Sequence, residues 1–254
     1  MKKSFLCEGK MPFVTEMVHG PSAKKAECKI RNAIAEGATA IGLQLHTFRK
    51  EERTREMISG LFAAAGDHPV YVTNYRQGSN EGKSDEELAR ELLELPEWGA
   101  KLIDLPGDMF DPSPEEFTAN AAAIEKQKRF IEEAHARGGE VLISSHIYTF
   151  RGADRVLEIA LGQQARGADI VKIVTGAETQ EEELKNLEIC RLLKSELRVP
   201  FLFLSGGKYC KLHRTIGVAL GVCMWLCFRE YDETAYPGPP LLKNVLKIKS
   251  ALDL

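Results

Sequence analysis

The segment ADIVKIVTG, residues 168–176, has the composition of a buried strand, yet it carries Lys172 where another Val or Ile would fit. An unpaired buried ammonium is strongly unfavourable unless it finds a partner or gives up its proton. Strand side chains alternate, so Lys172 shares one side with Ile170 and Val174, while Val171 and Ile173 take the other. The amine has two readings. It snorkels past the strand end to a carboxylate, or it is desolvated until it becomes nucleophilic and condenses with a ketone or aldehyde as a Schiff base. His146, which closes the run VLISSH, adds weight to the second, because removing a proton from carbon next to an iminium needs a base of this kind.

For those two side chains to meet, the elements carrying them must be neighbours. Apolar runs recur at FVTEMV, TAIGLQL, VYVTNY, KLIDL, EVLISS, DIVKIV, PFLFLS and CMWLCF, which makes eight strands. Charged stretches of helical period separate them, including one read from Ser113 to Gly139. Ser84, Ser113 and Thr179, each followed by carboxylates, read as helix starts, and Gly37, Gly66, Gly99, Gly138 and Gly167 as helix ends. Eight βα units in this length predict an α/β fold, a single (β/α)8 TIM barrel over residues 1–254. A doubly wound sheet is the alternative, but MVHGPSAKK after the first strand is no glycine-rich phosphate loop. Barrel chemistry sits at the C-terminal strand ends. Those ends carry Glu16 and His19, Gln44 and His46, Asn74 and Arg76, Asp104, Ser145 and His146, Lys172 and Thr175, then Ser205 and Lys208. Gln44, Asp104 and Ser205 are candidate substrate contacts.

Composition narrows the partner. With 34 basic and 37 acidic residues the chain has no basic field for nucleic acid or an anionic membrane, so a small molecule is expected. The start MKKSFLCEGKMPFV lacks an apolar signal core and no run is long enough to span a membrane, which predicts a cytoplasmic protein. Six cysteines without CxxC pairing read as reduced, mostly buried thiols. No cofactor is expected. His19, His46 and Asp104 lack the close spacing of a metal site, and LSGGK is only a weak phosphate signal.

The runs VTNYRQGSNEG, LIDLPGDMF, VLISSHIYTF, GADIVKIV and FLFLSGGKYCKLHR resemble those of type I 3-dehydroquinate dehydratases, in matching order over nearly the whole chain. The resemblance implies a lyase of the shikimate pathway that forms an iminium between Lys172 and the C3 carbonyl of 3-dehydroquinate. It implies that His146 removes a C2 proton and later protonates the departing C1 hydroxyl. Glu81 would orient His146, Arg214 would grip the substrate carboxylate, and Arg76 would sit near the ring hydroxyls. A homodimer is also implied.

Several positions depart from that pattern. Where the family has an acidic residue and an arginine after strand two, this chain has Gly42 and Gln44. Glu81 lies one residue further past Arg76 than in the family. Leu105 and Pro106 follow Asp104 where an acidic residue is usual. The ring-packing methionines of strand seven become Leu204 and Gly206, and the polar pair of the last loop becomes Ala235 and Pro239. The altered positions leave open a Schiff-base aldolase or lyase for another oxo-acid, or a non-catalytic barrel that binds a carboxylated metabolite. Retention of both Lys172 and His146 argues for catalysis.

Overall fold

The computed structural model describes Phe5 and residues 11–20, 22–232 and 238–254. Cys7 and Ala235 lie outside the described residues. Eight parallel strands alternate with eight α-helices: β1 (Phe13–Val18), α1 (Ala23–Ala35), β2 (Ala40–Gln44), α2 (Arg55–Ala64), β3 (Val70–Thr73), α3 (Asp85–Trp98), β4 (Leu102–Pro106), α4 (Ala121–Ala136), β5 (Glu140–His146), α5 (Ala153–Ala165), β6 (Ile170–Gly176), α6 (Gln180–Glu196), β7 (Phe201–Gly206), α7 (Lys211–Ile216), β8 (Met224–Cys227) and α8 (Leu242–Ala251). The strands pair in sequence order, and β1 also pairs with β8. A single bridge between Phe201 and Val222, with Cys223 N–H donating to Phe201 O at 2.9 Å, brings β7 up to β8. The result is a nearly closed (β/α)8 TIM barrel, as the alternation predicts.

Local signals explain most of the element boundaries. Ser84 and Thr179 form reciprocal capping boxes with Glu87 and Glu182, so α3 and α6 begin where expected. Gly99 (φ +122°) and Gly167 (φ +98°) follow α3 and α5 in a backbone region that a side chain would strain. The clearest difference lies before α4. That helix starts at Ala121, not Ser113, because Asn120 accepts from the N–H groups of Ala122 and Ala123 and outcompetes the Ser-Pro-Glu signal. Residues 107–120 therefore form a long loop over the barrel mouth. Arg166, buried and stacked 4.2 Å from the Phe117 ring centroid, ties this loop down by donating to Gly107 O and Thr118 O.

The barrel interior is closed at its lower end by Phe5, fully buried between Phe13 and Tyr71. Cys190, Cys210, Cys223 and Cys227 are buried and unbridged; Cys28 is exposed. No helix among the described residues is long and apolar enough to cross a membrane.

Candidate active site

The strand parity holds for Lys172. Its side chain points into the barrel from β6 and is 4% exposed, so its charge must be met inside. Nζ lies 3.0 Å from Asp104 Oδ2, 3.0 Å from the Tyr71 hydroxyl and 2.7 Å from the Tyr75 hydroxyl. Asp104, fully buried on β4, also accepts from Tyr71, Tyr75 and Ser144. Burial alone would raise its carboxyl, but the charge of Lys172 and the hydroxyls of Ser144 and Tyr71 overcome that and hold it below the ordinary range. Asp104 thus sits beneath the amine, positioned to pair it and not to meet substrate directly. Burial, followed by the Asp104 charge, pushes both tyrosines well above their usual values, so both hydroxyls stay protonated.

His146 ends β5, the strand beside β6, with Ser144 in register with Lys172 and His146 with Val174. Its Nδ1 lies 2.7 Å from Glu116 Oε2, which also accepts the His146 backbone N–H at 3.0 Å. The Glu116 carbonyl in turn accepts from Ser145 Oγ at 2.8 Å. Glu116, not Glu81, is therefore the carboxylate in contact with the imidazole. Glu81 is exposed on a turn beyond β3 and lines a side cavity of about 350 Å³ that it shares with Glu116 and His146. Reading residues 113–120 as helix hid Glu116. The available signal was Asn120 ahead of the Ala121–Ala123 run, which would have left Glu116 in the loop.

Two other candidates are corrected. Arg76 is committed to the scaffold: its Nε and Nη2 clasp Asp85 at 2.8 Å each, Nη1 reaches Asp108 Oδ1 at 2.7 Å, and Nη2 also donates to Asp108 O. It fastens the loops after β3 and β4, and it lines the side cavity shared with His146 and not the mouth that Lys172 reaches. Ser205 points out of the barrel because Leu204 and Gly206 take the inward parity, and it bonds Glu183 and Asn186 of α6 at 2.6 Å each. Thr175 likewise turns to Asn186.

The mouth itself is a cavity of about 500 Å³ reached by Lys172, His146, Tyr75, Gln44, Thr73 and Arg214. Arg214 stands on α7 with its Nε donating to Ser205 O at 2.6 Å. Thr73 Oγ1 is buried without a hydrogen-bond partner. Met17, Val174, Leu204, Leu226, Phe228 and Pro239 supply the apolar wall. The remaining strand-end candidates lie elsewhere. Glu16 faces outward beneath Arg229, where burial pushes its carboxyl up to about 8. Asn74 is bound into a network with Arg53, Asn80 and Glu91, and His19 pairs with Asp232. His46 packs against Tyr75, and burial pushes its imidazole down to about 4.

Gly42 explains one departure from the family pattern. A Cβ built there would lie 2.2 Å from Met17 Sδ, so the methionine occupies the space a strand-two side chain would need. Met17 of β1 and Gly42 of β2 are adjacent in register and form one complementary pair.

A curated 3-dehydroquinate dehydratase of Alkaliphilus oremlandii is 30% identical over 120 residues, a match spanning 46% of each chain. The chain is also similar to the solved 3-dehydroquinate dehydratase of Geobacillus kaustophilus, with a TM-score of 0.82, 18% identity, and coverage of 96% of this chain and 92% of that one. A type I enzyme from Clostridium difficile, solved with covalently modified comenic acid, gives 0.81 at 18% identity over 95% and 92% of the two chains. The model of the type I 3-dehydroquinase family matches residues 16–253, and the chain belongs to that family.

Proposed function

We propose that this barrel is a carbon–oxygen lyase that eliminates water from 3-dehydroquinate through an iminium on Lys172, acting in the cytoplasm without a cofactor. The observation that carries the reading is the convergence of a buried strand-borne amine and an oriented imidazole on one cavity. Lys172 attacks the C3 carbonyl, and the resulting cationic iminium acidifies the C2 hydrogens. His146, held by Glu116, takes a C2 proton and returns it to the C1 hydroxyl as that group leaves as water. The test is to mix the protein with 3-dehydroquinate and borohydride and weigh the intact chain. One reduced adduct per chain, mapping to Lys172, is expected; an unmodified mass rejects the reading.

In this reading Arg214, which lines the mouth, holds the substrate carboxylate. Arg214→Ala should raise KM at least about tenfold for a carboxylate substrate, since a charge-assisted pair contributes on the order of 1.5–3 kcal/mol. Equal loss on a neutral analogue would instead make Arg214 a structural residue that supports Ser205.

The Met17–Gly42 pair favours a second reading, in which the true substrate is a less hydroxylated oxo-acid. Strands β1 and β2 stand across the barrel from β5 and β6, so a ring tethered to Lys172 meets Met17 and Gln44 on the far side. Wild type would then turn over 3-dehydroquinate poorly. Gly42→Glu with Gln44→Arg should fail to help until Met17→Ala clears the space, and the triple variant should raise kcat/KM. A wild-type kcat/KM above about 10⁵ M⁻¹s⁻¹, well inside the ordinary enzyme range, would remove this second reading.

A further inference from the structure

A lysine paired with a buried carboxylate starts as an ammonium, and it must lose a proton before it can attack a carbonyl. Asp104 is a poor destination, because its carboxyl already accepts from Lys172, Tyr71, Tyr75 and Ser144. His146 is a better one. Glu116 faces Nδ1 and fixes the proton there, which leaves the Nε2 lone pair open. The Tyr75 oxygen is 2.7 Å from Lys172 Nζ, 2.7 Å from Asp104 Oδ2 and 3.5 Å from His146 Nε2. Tyr75 thus has one phenolic proton and two acceptors. Tyr71 reaches the same amine at 3.0 Å, but no hydrogen bond of the described residues joins it to the imidazole. The 3.5 Å contact is long at rest, as catalytic hydrogen bonds often are before substrate is bound.

We propose that Tyr75 is a catalytic residue that relays protons between Lys172 and His146 while the iminium forms. This rests on the Schiff-base reading above. In the first step the Lys172 ammonium gives a proton to the Tyr75 oxygen as the phenol passes its own to His146 Nε2, leaving a neutral amine and an imidazolium. The nitrogen lone pair then forms the C–N bond, and one N–H proton moves to the former carbonyl oxygen, giving a carbinolamine. Finally the imidazolium returns its proton to that hydroxyl through Tyr75. The C–O bond breaks, water departs, and the nitrogen lone pair closes the C=N bond. Ammonium plus ketone become iminium plus water, with no proton gained or lost overall. The phenol keeps its own proton at neutral pH, because burial and Asp104 oppose its ionisation, so each transfer is an exchange and no tyrosinate persists.

The experiment mixes protein with 3-dehydroquinate, quenches with borohydride at increasing times and weighs the chain. Tyr75→Phe should slow adduct formation about 100-fold, within the usual range for general acid–base groups, while still ending at one adduct per chain. Tyr71→Phe, which removes a hydroxyl from the same amine, should slow it less than about fivefold on the same scale. In a His146→Ala background the relay has lost its far end, so adding Tyr75→Phe should change the rate by less than about threefold, the non-additivity expected of coupled residues. Adduct formation by Tyr75→Phe at the wild-type rate, an equal loss in Tyr71→Phe, or an undiminished Tyr75→Phe effect without His146 would each overturn the relay. Absence of any adduct in wild type would instead overturn the Schiff-base reading itself.

Discussion

Lys172→Ala is expected to abolish both turnover and borohydride trapping. The amine is the covalent partner in the proposed mechanism, and the other lysine near the mouth, Lys208, is exposed beyond β7 over the Tyr209 ring. A loss of covalent catalysis differs here from a loss of fold. Removing one partner of a buried ion pair typically costs about 3–5 kcal/mol. Asp104 keeps hydroxyl donors from Tyr71, Tyr75 and Ser144, so the carboxylate is not stranded and the barrel should persist with a lowered melting temperature. Circular dichroism on the same sample would show a folded chain with no adduct. An adduct that still forms, and maps to Lys208, would move the chemistry to the loop after β7 and undo the assignment.

The second large effect concerns the base. His146→Ala should still end at one adduct per chain, formed more slowly, but lose about 10²–10⁴ in kcat, because carbon deprotonation needs the imidazole itself. Glu116→Ala should reproduce part of that loss, about 10- to 100-fold in kcat with KM little changed. The carboxylate fixes the ring orientation and balances the imidazolium charge, a charge-assisted contact worth about 1.5–3 kcal/mol. Glu81→Ala should leave kcat within about twofold, as substitutions of exposed side chains usually do. Steady-state kinetics on the two glutamate variants decides between them. Should Glu81→Ala cost as much as Glu116→Ala, the carboxylate facing His146 at rest is not the one that serves it in turnover.

The barrel was legible in the sequence because its signals are local. A strand covered on both faces must be apolar for most of its length, and a helix returning to the next strand ends best on a glycine with positive φ, as at Gly99 and Gly167. Residue parity is equally local. It placed Lys172 inside β6 and, applied to β7, would have turned Ser205 outward from the start. The adjacency of Lys172 and His146 followed from strand order alone.

What only the tertiary structure decided are the partners that no spacing encodes. Asp104 of β4, Tyr71 of β3 and Tyr75 of the loop after β3 meet Lys172 because the barrel curves them onto its axis. Glu116 reaches His146 only because Asn120 delays the start of α4 and Arg166 pins the resulting loop. Arg76 turned from a substrate ligand into a scaffold clamp once Asp85 and Asp108 stood on either side of it. Gly42 carries no side chain because Met17 of the neighbouring strand fills the space. Periodicity reports which way a side chain points, whereas the group it meets depends on register, curvature and loop path, which are settled by packing over the whole chain.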